Sequence, residues 1–166
     1  MLNAYSKFLD IIEKVQRAIL AVSVPVMVFI MMYQVILRYV FSNSNAWSEE
    51  LTRYLFIFNV MFAAAIAVRR NSHLQIDILI NLFSRRVKAA FTVVATIIGI
   101  VFLCLLFKYC LDLCVQAARN ISPGVGISMS IPYAAMPIGI VFMILTSIEV
   151  VIKNLEELGK KEVEKE

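Results

Sequence analysis

The chain has 166 residues, of which 61% are hydrophobic and 17% charged, and its mean hydropathy is +0.82. A soluble domain of this length has no interior large enough to hide so much apolar surface, so the composition excludes an ordinary globular protein and indicates an integral membrane protein. The net charge of +4 comes from basic residues that flank the apolar stretches, which indicates membrane topology and not a nucleic-acid partner.

The N-terminal segment, residues 1–17, mixes charged side chains with apolar ones that recur near helical spacing. This pattern predicts a short amphipathic helix that lies on the cytoplasmic surface of the membrane. The apolar stretch that follows is long enough to cross a bilayer, and the first span is predicted over residues 18–40.

The start of the second span combines an indole with three charged side chains: Trp47, Glu49, Glu50 and Arg53. Behind them only fifteen residues, 54–68, are free of charge. Fifteen helical residues rise about 22 Å, whereas the hydrocarbon core of a bilayer is about 30 Å thick. The second span is therefore predicted over residues 47–69, with its charged start at or just inside the interface, where charges are costly and usually serve a purpose.

Two hypotheses for this charged start remain open. Glu49 and Arg53 lie one turn apart with the acid first, and acids in a first turn complement the helix dipole, so the charges can simply begin the helix. Glu50 has no obvious partner, and this spare charge favours a second hypothesis, docking onto another protein. Under the second hypothesis the partner contact consists of Trp47, Glu49, Glu50 and Arg53.

The connection between the second and third spans carries apolar side chains between basic pairs, which predicts an interfacial segment that attracts anionic lipid head groups. We assign six residues around it to the lipid and cytoplasmic interface: Arg69, Arg70, His73, Arg85, Arg86 and Lys88. The third span is predicted over residues 88–112. A loop over 122–130 precedes the fourth span, predicted over 131–152, where Glu149 and Lys153 have the spacing of a favourable helical pair.

Together these elements predict an all-α membrane protein, a single domain over residues 1–166 with four transmembrane helices. Lys and Arg are distributed unequally across the predicted spans: twelve flank the side that holds both termini, and four flank the other side. Because cytoplasmic flanks carry the excess of basic residues, both termini are predicted to be cytoplasmic.

The sequence offers no constellation for catalysis or for a cofactor. His73 is the only histidine and lies outside the spans, which excludes a haem held by axial histidines. Metal-ligand spacing, a Gly-rich phosphate loop and a nucleophile elbow are all missing, so no metal, no cofactor and no enzymatic activity are expected. Gln34 and Asn59, polar residues inside spans, are predicted to hydrogen-bond neighbouring helices. The three cysteines are expected to be inert packing residues.

Several motifs in a fixed order resemble one family. They are Arg38-Tyr39-Val40-Phe41, Trp47-Ser48-Glu49-Glu50-Leu51, Arg53-Tyr54-Leu55-Phe56, Ala65 through Arg69-Arg70 with His73 and Asp77, and Ile131-Pro132-Tyr133-Ala134-Ala135-Met136-Pro137-Ile138-Gly139. In this order they are similar to the small membrane subunit of the tripartite ATP-independent periplasmic (TRAP) transporters. The resemblance covers roughly residues 35–140.

The resemblance implies a four-span helper that pairs with a large multi-span membrane subunit holding the substrate and sodium sites. A periplasmic substrate-binding protein would deliver an organic acid, such as sialic acid or a dicarboxylate, and an ion gradient would drive its uptake across the bacterial inner membrane. The small subunit would enlarge the stationary scaffold and offer part of the docking surface.

The residues themselves leave two other hypotheses open. One is an autonomous homo-oligomeric exporter or channel, against which the lack of a carboxylate at mid-span speaks. The other is a structural or assembly membrane protein unrelated to transport.

Overall fold

The computed structural model describes residues 2–43, 45–69 and 85–160, with side chains described over 5–43, 45–69 and 91–155. These residues form five helices: α1 (Leu2–Val40), α2 (Ala46–Arg69), α3 (Arg85–Ala117), α4 (Ser130–Tyr133) and α5 (Ala135–Lys160). Within the described ranges the chain forms no strand, and β pairing is limited to an isolated bridge between Ile121 and Ser128.

The predicted all-α fold with four transmembrane helices is confirmed. Four stretches are long and apolar enough to cross a membrane: Tyr5–Val40, Ala46–Arg69, Phe91–Ala117 and Ser130–Leu155. The cytoplasmic placement of both termini stays a prediction. The predicted interfacial segment between the second and third spans lies outside the described residues.

The N-terminal segment is helical but is not a separate element. Residues 2–17 continue into the first span without a break, so that α1 is a single helix of 39 residues. The segment contains neither proline nor glycine, and the backbone therefore meets no residue that would end the helix before the span begins. Whether this part of α1 lies on the membrane surface stays a prediction.

The fourth span is interrupted between α4 and α5, at Ala134. Pro137 has no N–H to donate to the carbonyl of Tyr133, and its ring crowds the same carbonyl, which favours a break in the helical hydrogen-bond ladder at this turn. The N–H of Ala134 instead donates to the carbonyl of Ser130 at 2.9 Å, and the ladder resumes where Ile138 donates to Ala134 at 3.3 Å.

The long helices pack side by side in the order α1, α2, α5, α3, which differs from their order along the chain. We call this arrangement the helix row. Helix α5 lies between α2 and α3. Half of the most apolar stretch of the span Ser130–Leu155, which contains most of α5, is buried, whereas none of the most apolar stretch of Tyr5–Val40 is buried. In the described residues the fold is therefore closer to a single layer of helices than to a closed four-helix bundle.

Each outer helix of the row contacts its neighbour through one narrow stripe. Over residues 13–37 the less exposed positions of α1 alternate between three and four residues apart, which is the spacing of a helix that packs along a single seam. They are Glu13, Gln16, Leu20, Ser23, Met27, Ile30, Gln34 and Leu37. Nearer the N-terminus, Tyr5, Ser6, Leu9 and Ile12 are also less exposed. A similar series of less exposed positions on α3, which packs on α5, includes Thr96, Leu103, Leu106, Cys110, Cys114 and Ala117. The remaining surface of both helices is exposed and mostly apolar.

Helices α2 and α5 approach each other closely at Gly139. A Cβ atom built on Gly139 would lie 2.6 Å from the Cβ of Met61, which is closer than two carbon atoms can pack. The glycine therefore permits the backbone of α5 to press against α2, as small residues commonly do at crossings of membrane helices.

Candidate functional site

Two polar clusters lie at opposite ends of the helix row, and we name these ends after the predicted topology. The outer end holds the start of α2, with the α2-start cluster Trp47, Glu49, Glu50 and Arg53. The inner end holds the end of α2, with the ion-pair cluster Asp10, Glu13, Arg17, Arg69, Glu149 and Lys153.

At the outer end, the first turns of α2 are anchored by buried hydroxyl groups. Ser48, which is fully buried, donates from its hydroxyl to the carbonyl of Asn45 at 3.0 Å. Thr52, one turn later, donates to the carbonyl of Ser48 at 2.8 Å. These short bonds fix the start of the helix and hence the directions in which Glu49 and Glu50 project.

Glu50 is occupied by the loop that follows α3. Its Oε2 atom accepts hydrogen bonds from the hydroxyl of Ser122, from the N–H of Gly124 at 3.0 Å and from the N–H of Val125 at 3.2 Å. Converging donors of this kind form a small anion-binding nest, and hydrogen bonds to a carboxylate are stronger than neutral ones. The carboxylate thus ties the loop to the start of α2.

The backbone of this loop touches α2 directly. A Cβ atom on Gly124 would lie 2.8 Å from the carbonyl carbon of Ala46 and 2.9 Å from its oxygen, so a larger residue has no room there. Gly126 has a φ of +75°, a conformation that favours glycine, and lets the loop turn back toward α4. The loop is therefore shaped to fit against the first turn of α2.

The rest of the α2-start cluster faces outward. Glu49 and Arg53 form an ion pair with an N–O distance of 3.1 Å, and both side chains are more than half exposed. The ring of Trp47 lies 6.2 Å from that of Tyr33 on α1 and is partly exposed. The structure thus separates the two adjacent acids: Glu49 is exposed and Glu50 is engaged within the chain. Contact of the cluster with a partner stays a prediction.

At the inner end, Arg69 is the centre of the ion-pair cluster. It is the last residue of α2, and its side chain is only 8% exposed. Its Nε donates to Oε2 of Glu149 at 2.8 Å, its Nη1 to Oε2 of Glu13 at 2.5 Å, and its Nη2 to Oδ1 of Asp10 at 2.6 Å. The Nη2 also donates to the carbonyl of Ser6 at 3.2 Å. One guanidinium thereby joins α2 to both α1 and α5.

Glu149 is the most deeply buried charge of this cluster, with its side chain 1% exposed. Besides Arg69, its Oε1 accepts from the hydroxyl of Ser6 at 2.7 Å and from Nζ of Lys153 at 2.6 Å, which confirms the predicted pair with Lys153. A buried carboxylate is stable only when its charge and lone pairs are matched, and here three side chains from three helices match it.

The predicted lipid-interface residues are described only in part. The side chain of Arg69 turns toward carboxylates of its own chain. Arg70 and His73 lie outside the described residues, and Arg85, Arg86 and Lys88 lie in the first turn of α3, where only the backbone is described. The assignment of these residues to the lipid and cytoplasmic interface stays a prediction.

A third polar contact lies near the middle of the spans. The amide oxygen of Asn59 accepts a hydrogen bond from the hydroxyl of Ser23, and its Nδ2 lies 3.8 Å from the sulfur of Met27. Asn59 is buried on α2, and both partners belong to the seam of α1. The prediction that Asn59 hydrogen-bonds a neighbouring helix is confirmed.

The sequence did not reveal two of these contacts. The Arg69–Glu149 pair joins residues 80 positions apart, and the bond from Ser122 to Glu50 spans 72. The sequence signals for them were an acid without an obvious partner near the start of α2 and a glycine-containing loop before the fourth span. Among the described residues, no group of three or more His, Cys, Asp or Glu side chains is placed to hold a metal ion.

Comparison with known proteins gives a consistent result. The family model described as "Tripartite ATP-independent periplasmic transporters, DctQ component" matches residues 27–157. A protein of Haemophilus influenzae named as a TRAP transporter small permease protein is 24% identical over 157 residues, which are 95% of each chain.

Two further relatives match over a smaller share of their own length. The C4-dicarboxylate TRAP transporter small permease protein DctQ of Vibrio cholerae is 26% identical over 91 residues, 55% of this chain and 39% of that protein. The sialic acid TRAP transporter permease protein SiaT of Haemophilus influenzae is 28% identical over 120 residues, 72% of this chain and 20% of SiaT.

Proposed function

The chain belongs to the DctQ family of TRAP transporter small permease subunits, and from this premise we propose that it is the stationary scaffold and membrane anchor of a larger transport subunit. As a member of that family it is a multi-pass membrane component of a transporter and not an enzyme. The scaffold role, the partner, the substrate and the driving ion are parts of the proposal.

The helix row is the observation that carries the scaffold role. An element that moves solute needs a polar site near the middle of the membrane, usually built from broken helices in matching positions. In the described spans the charged side chains lie toward the helix ends, and Asn59 at mid-span is engaged with α1. A layer of helices with its buried charges paired and with broad apolar surfaces is suited to lying against another membrane protein and holding it in the bilayer.

A large membrane subunit is the proposed partner. The match with SiaT supports it, because the segment similar to this chain makes up a fifth of that permease. In SiaT, a segment like this chain is thus joined covalently to a much longer remainder. Where the chain is separate, we expect the same association to be non-covalent.

An organic acid is the proposed substrate class. Two of the relatives named above are named as components of C4-dicarboxylate and sialic acid systems, and both compounds are small organic acids. We further propose that a periplasmic substrate-binding protein delivers the acid and contacts the exposed part of the α2-start cluster. A sodium gradient would drive the uptake. The complex would lie in the bacterial inner membrane, with the basic connection between the second and third spans at the lipid interface.

The test is purification of the tagged chain from its native membrane in a mild detergent, with mass spectrometry of the proteins that accompany it. We expect a large multi-span protein in equal amount, and we expect the purified complex, reconstituted in vesicles, to take up an organic acid when a sodium gradient is imposed. An unrelated tagged four-span protein from the same membranes is the control. Recovery of the chain alone as a discrete oligomer would favour an autonomous exporter or channel and contradict the scaffold role.

A further inference from the structure

We propose that residues 5–17 of α1 form a strap that Arg69 and Glu149 hold closed across the inner ends of α2 and α5. The strap is a conformational device of this chain, separate from its role toward any partner. The proposal is that the ion-pair cluster, more than apolar packing, keeps this part of α1 in place.

The length of α1 creates the need for such a device. A helix of 39 residues is about 58 Å long, whereas the hydrocarbon core of a bilayer is about 30 Å thick. A large part of α1 therefore lies beyond the core. Ile11 and Val15 on this part are exposed, so apolar packing holds it along one stripe only.

The strap is the part of α1 that reaches α5. Over its spanning part α1 packs on α2, but at the inner end the hydroxyl of Tyr5 donates to the carbonyl of Leu145 at 2.9 Å. The hydroxyl of Ser6 donates to Glu149 at 2.7 Å, and Leu9, one turn further along α1, is 1% exposed. The strap thus crosses the end of α2 and connects two helices that the row otherwise separates.

Arg69 determines whether this crossing is attractive or repulsive. It lies at the end of α2, between the strap and α5, and is bonded to Asp10, Glu13 and Glu149 at once. Without its charge, three carboxylates from two helices would face one another around a buried position. Arg17 and Lys153 each bond only one of these carboxylates and remain half-exposed, so neither replaces a guanidinium at the centre. Loss of Arg69 should therefore open the strap while the seam between α1 and α2 holds.

Thiol labelling of the full chain in lipid nanodiscs tests the proposal. Cys104, Cys110 and Cys114 are replaced by Ser, and a reporter is introduced as Leu9→Cys, with Phe8→Cys, at a position that is 56% exposed, as its neighbouring control. A third reporter, Ser48→Cys, replaces a residue that is 0% exposed at the outer end. Each reporter is reacted with a water-soluble maleimide in chains with Arg69, with Arg69→Gln and with Arg53→Gln. The last variant is a matched control, because Arg53 is an arginine of the same helix in an exposed pair.

We expect Arg69→Gln to raise the labelling rate at Leu9→Cys by about tenfold or more, since α1 and α5 lose the cation that joins their carboxylates, and repulsion between these carboxylates favours local opening. Labelling at Phe8→Cys should change little, and Ser48→Cys should stay slow. Arg53→Gln should alter none of the three rates.

Two results would overturn the proposal. One is an unchanged labelling rate at Leu9→Cys. The other is a parallel rise at Ser48→Cys, because it would show that Arg69 prevents general unfolding and not only the opening of the strap.

If Arg69→Gln yields no folded chain, Ser6→Ala serves in its place. It removes one donor to Glu149 while leaving the Arg69–Glu149 pair intact, and a rise of about threefold at Leu9→Cys is then expected. No rise with Ser6→Ala would equally contradict the strap.

Discussion

Glu49 and Glu50 are neighbours in sequence, yet the fold gives them different tasks. Glu49 pairs with Arg53 on the exposed side of α2, whereas Glu50 accepts three hydrogen bonds from the loop after α3. An exposed ion pair contributes little to stability, because water competes for both charges. A carboxylate that satisfies converging backbone donors contributes more, since its loss leaves those donors without an acceptor.

The variant Glu50→Ala should therefore clearly lower the midpoint of thermal unfolding, because three donors lose their acceptor, whereas Glu49→Ala should lower it little. Trp47, the only tryptophan of the chain, lies beside both residues, so its fluorescence during thermal unfolding reports on this end of the row. The two variants are matched, because each replaces one of two adjacent glutamates near the start of the same helix with a strong helix former. Equal shifts of the unfolding midpoint would contradict the role assigned to Glu50.

At the scale of helix pairs, α2 and α5 depend on the absence of a side chain at one position. Gly139 has Met61 directly opposite, at a distance that no Cβ atom tolerates, whereas Gly99 on α3 has no atom within 4 Å of the place where a Cβ would be. Both glycines lie inside long apolar helices. A comparison of substitutions at Gly139 and Gly99 thus separates the effect of close packing from the general cost of glycine in a helix.

We expect Gly139→Ala to destabilise the protein by about 1–3 kcal/mol, because the two backbones must move apart. Gly99→Ala should instead stabilise it by up to about 1 kcal/mol, since alanine loses less conformational entropy in a helix. Both variants are heated stepwise in the same detergent, and size-exclusion chromatography measures the fraction of folded protein that remains. The unfolding temperatures obtained in this way give the difference. Opposite signs are the decisive observation, and a stabilising Gly139→Ala would show that α5 does not press on α2.

The contact between α1 and α2 has a polar component that can be measured separately. Asn59 on α2 is bonded to Ser23 on α1 within an otherwise apolar seam. Hydrogen bonds between membrane helices typically contribute less than about 1 kcal/mol, because the separated helices also find partners.

A double-mutant cycle of Asn59→Ala and Ser23→Ala should give a coupling of about 0.6–1 kcal/mol. The free energy of unfolding of the four variants, measured by denaturant titration, provides the value. A cycle with Thr146→Ala in place of Ser23→Ala is the control, because Thr146 bonds only the carbonyls of its own helix, and its coupling with Asn59 should be close to zero. Indistinguishable values in the two cycles would argue against a specific bond between the helices.

At the scale of the whole molecule, the spans were predictable because each is a local property of the sequence. Charge-free stretches of sufficient length predict membrane helices wherever the chain folds. The order of the helices in the row was not predictable, since every exposed face of the spans is similarly apolar. Nothing in the local sequence indicates that α5 inserts between α2 and α3.

In the polar clusters, too, local contacts could be predicted from the sequence and contacts between helices could not. The pair of Glu149 with Lys153 could be predicted because it lies within one helix turn. The bonds of Glu149 with Arg69 depend on helices that meet only after folding, so Arg69 reads in the sequence as one more basic residue at the end of a span. The charges at the inner end could thus be located from the sequence, but not paired.

The helix row also predicts how the stability of the chain depends on its partner. A single layer buries apolar surface mainly along its seams, so most of the surface of α1 and α3 stays outside the fold. If a large membrane subunit covers part of that surface, it binds the folded chain and not the unfolded one, and binding of this kind raises apparent stability.

The chain co-purified with its partner should therefore unfold at a temperature higher by about 5 °C or more than the chain purified alone in the same detergent. The fluorescence of Trp47 is not specific in a complex that contains other tryptophans. Loss of the chain from the soluble fraction after stepwise heating, followed by an antibody to its tag, is the suitable measurement. Binding of the partner should also raise the unfolding temperature of the Gly139→Ala variant. This variant weakens the contact between α2 and α5 but leaves the outer surfaces of α1 and α3, which the partner would cover, unchanged. Identical unfolding temperatures with and without the partner would indicate that only lipid or detergent covers the apolar surfaces of α1 and α3, and that the large subunit does not bind to them.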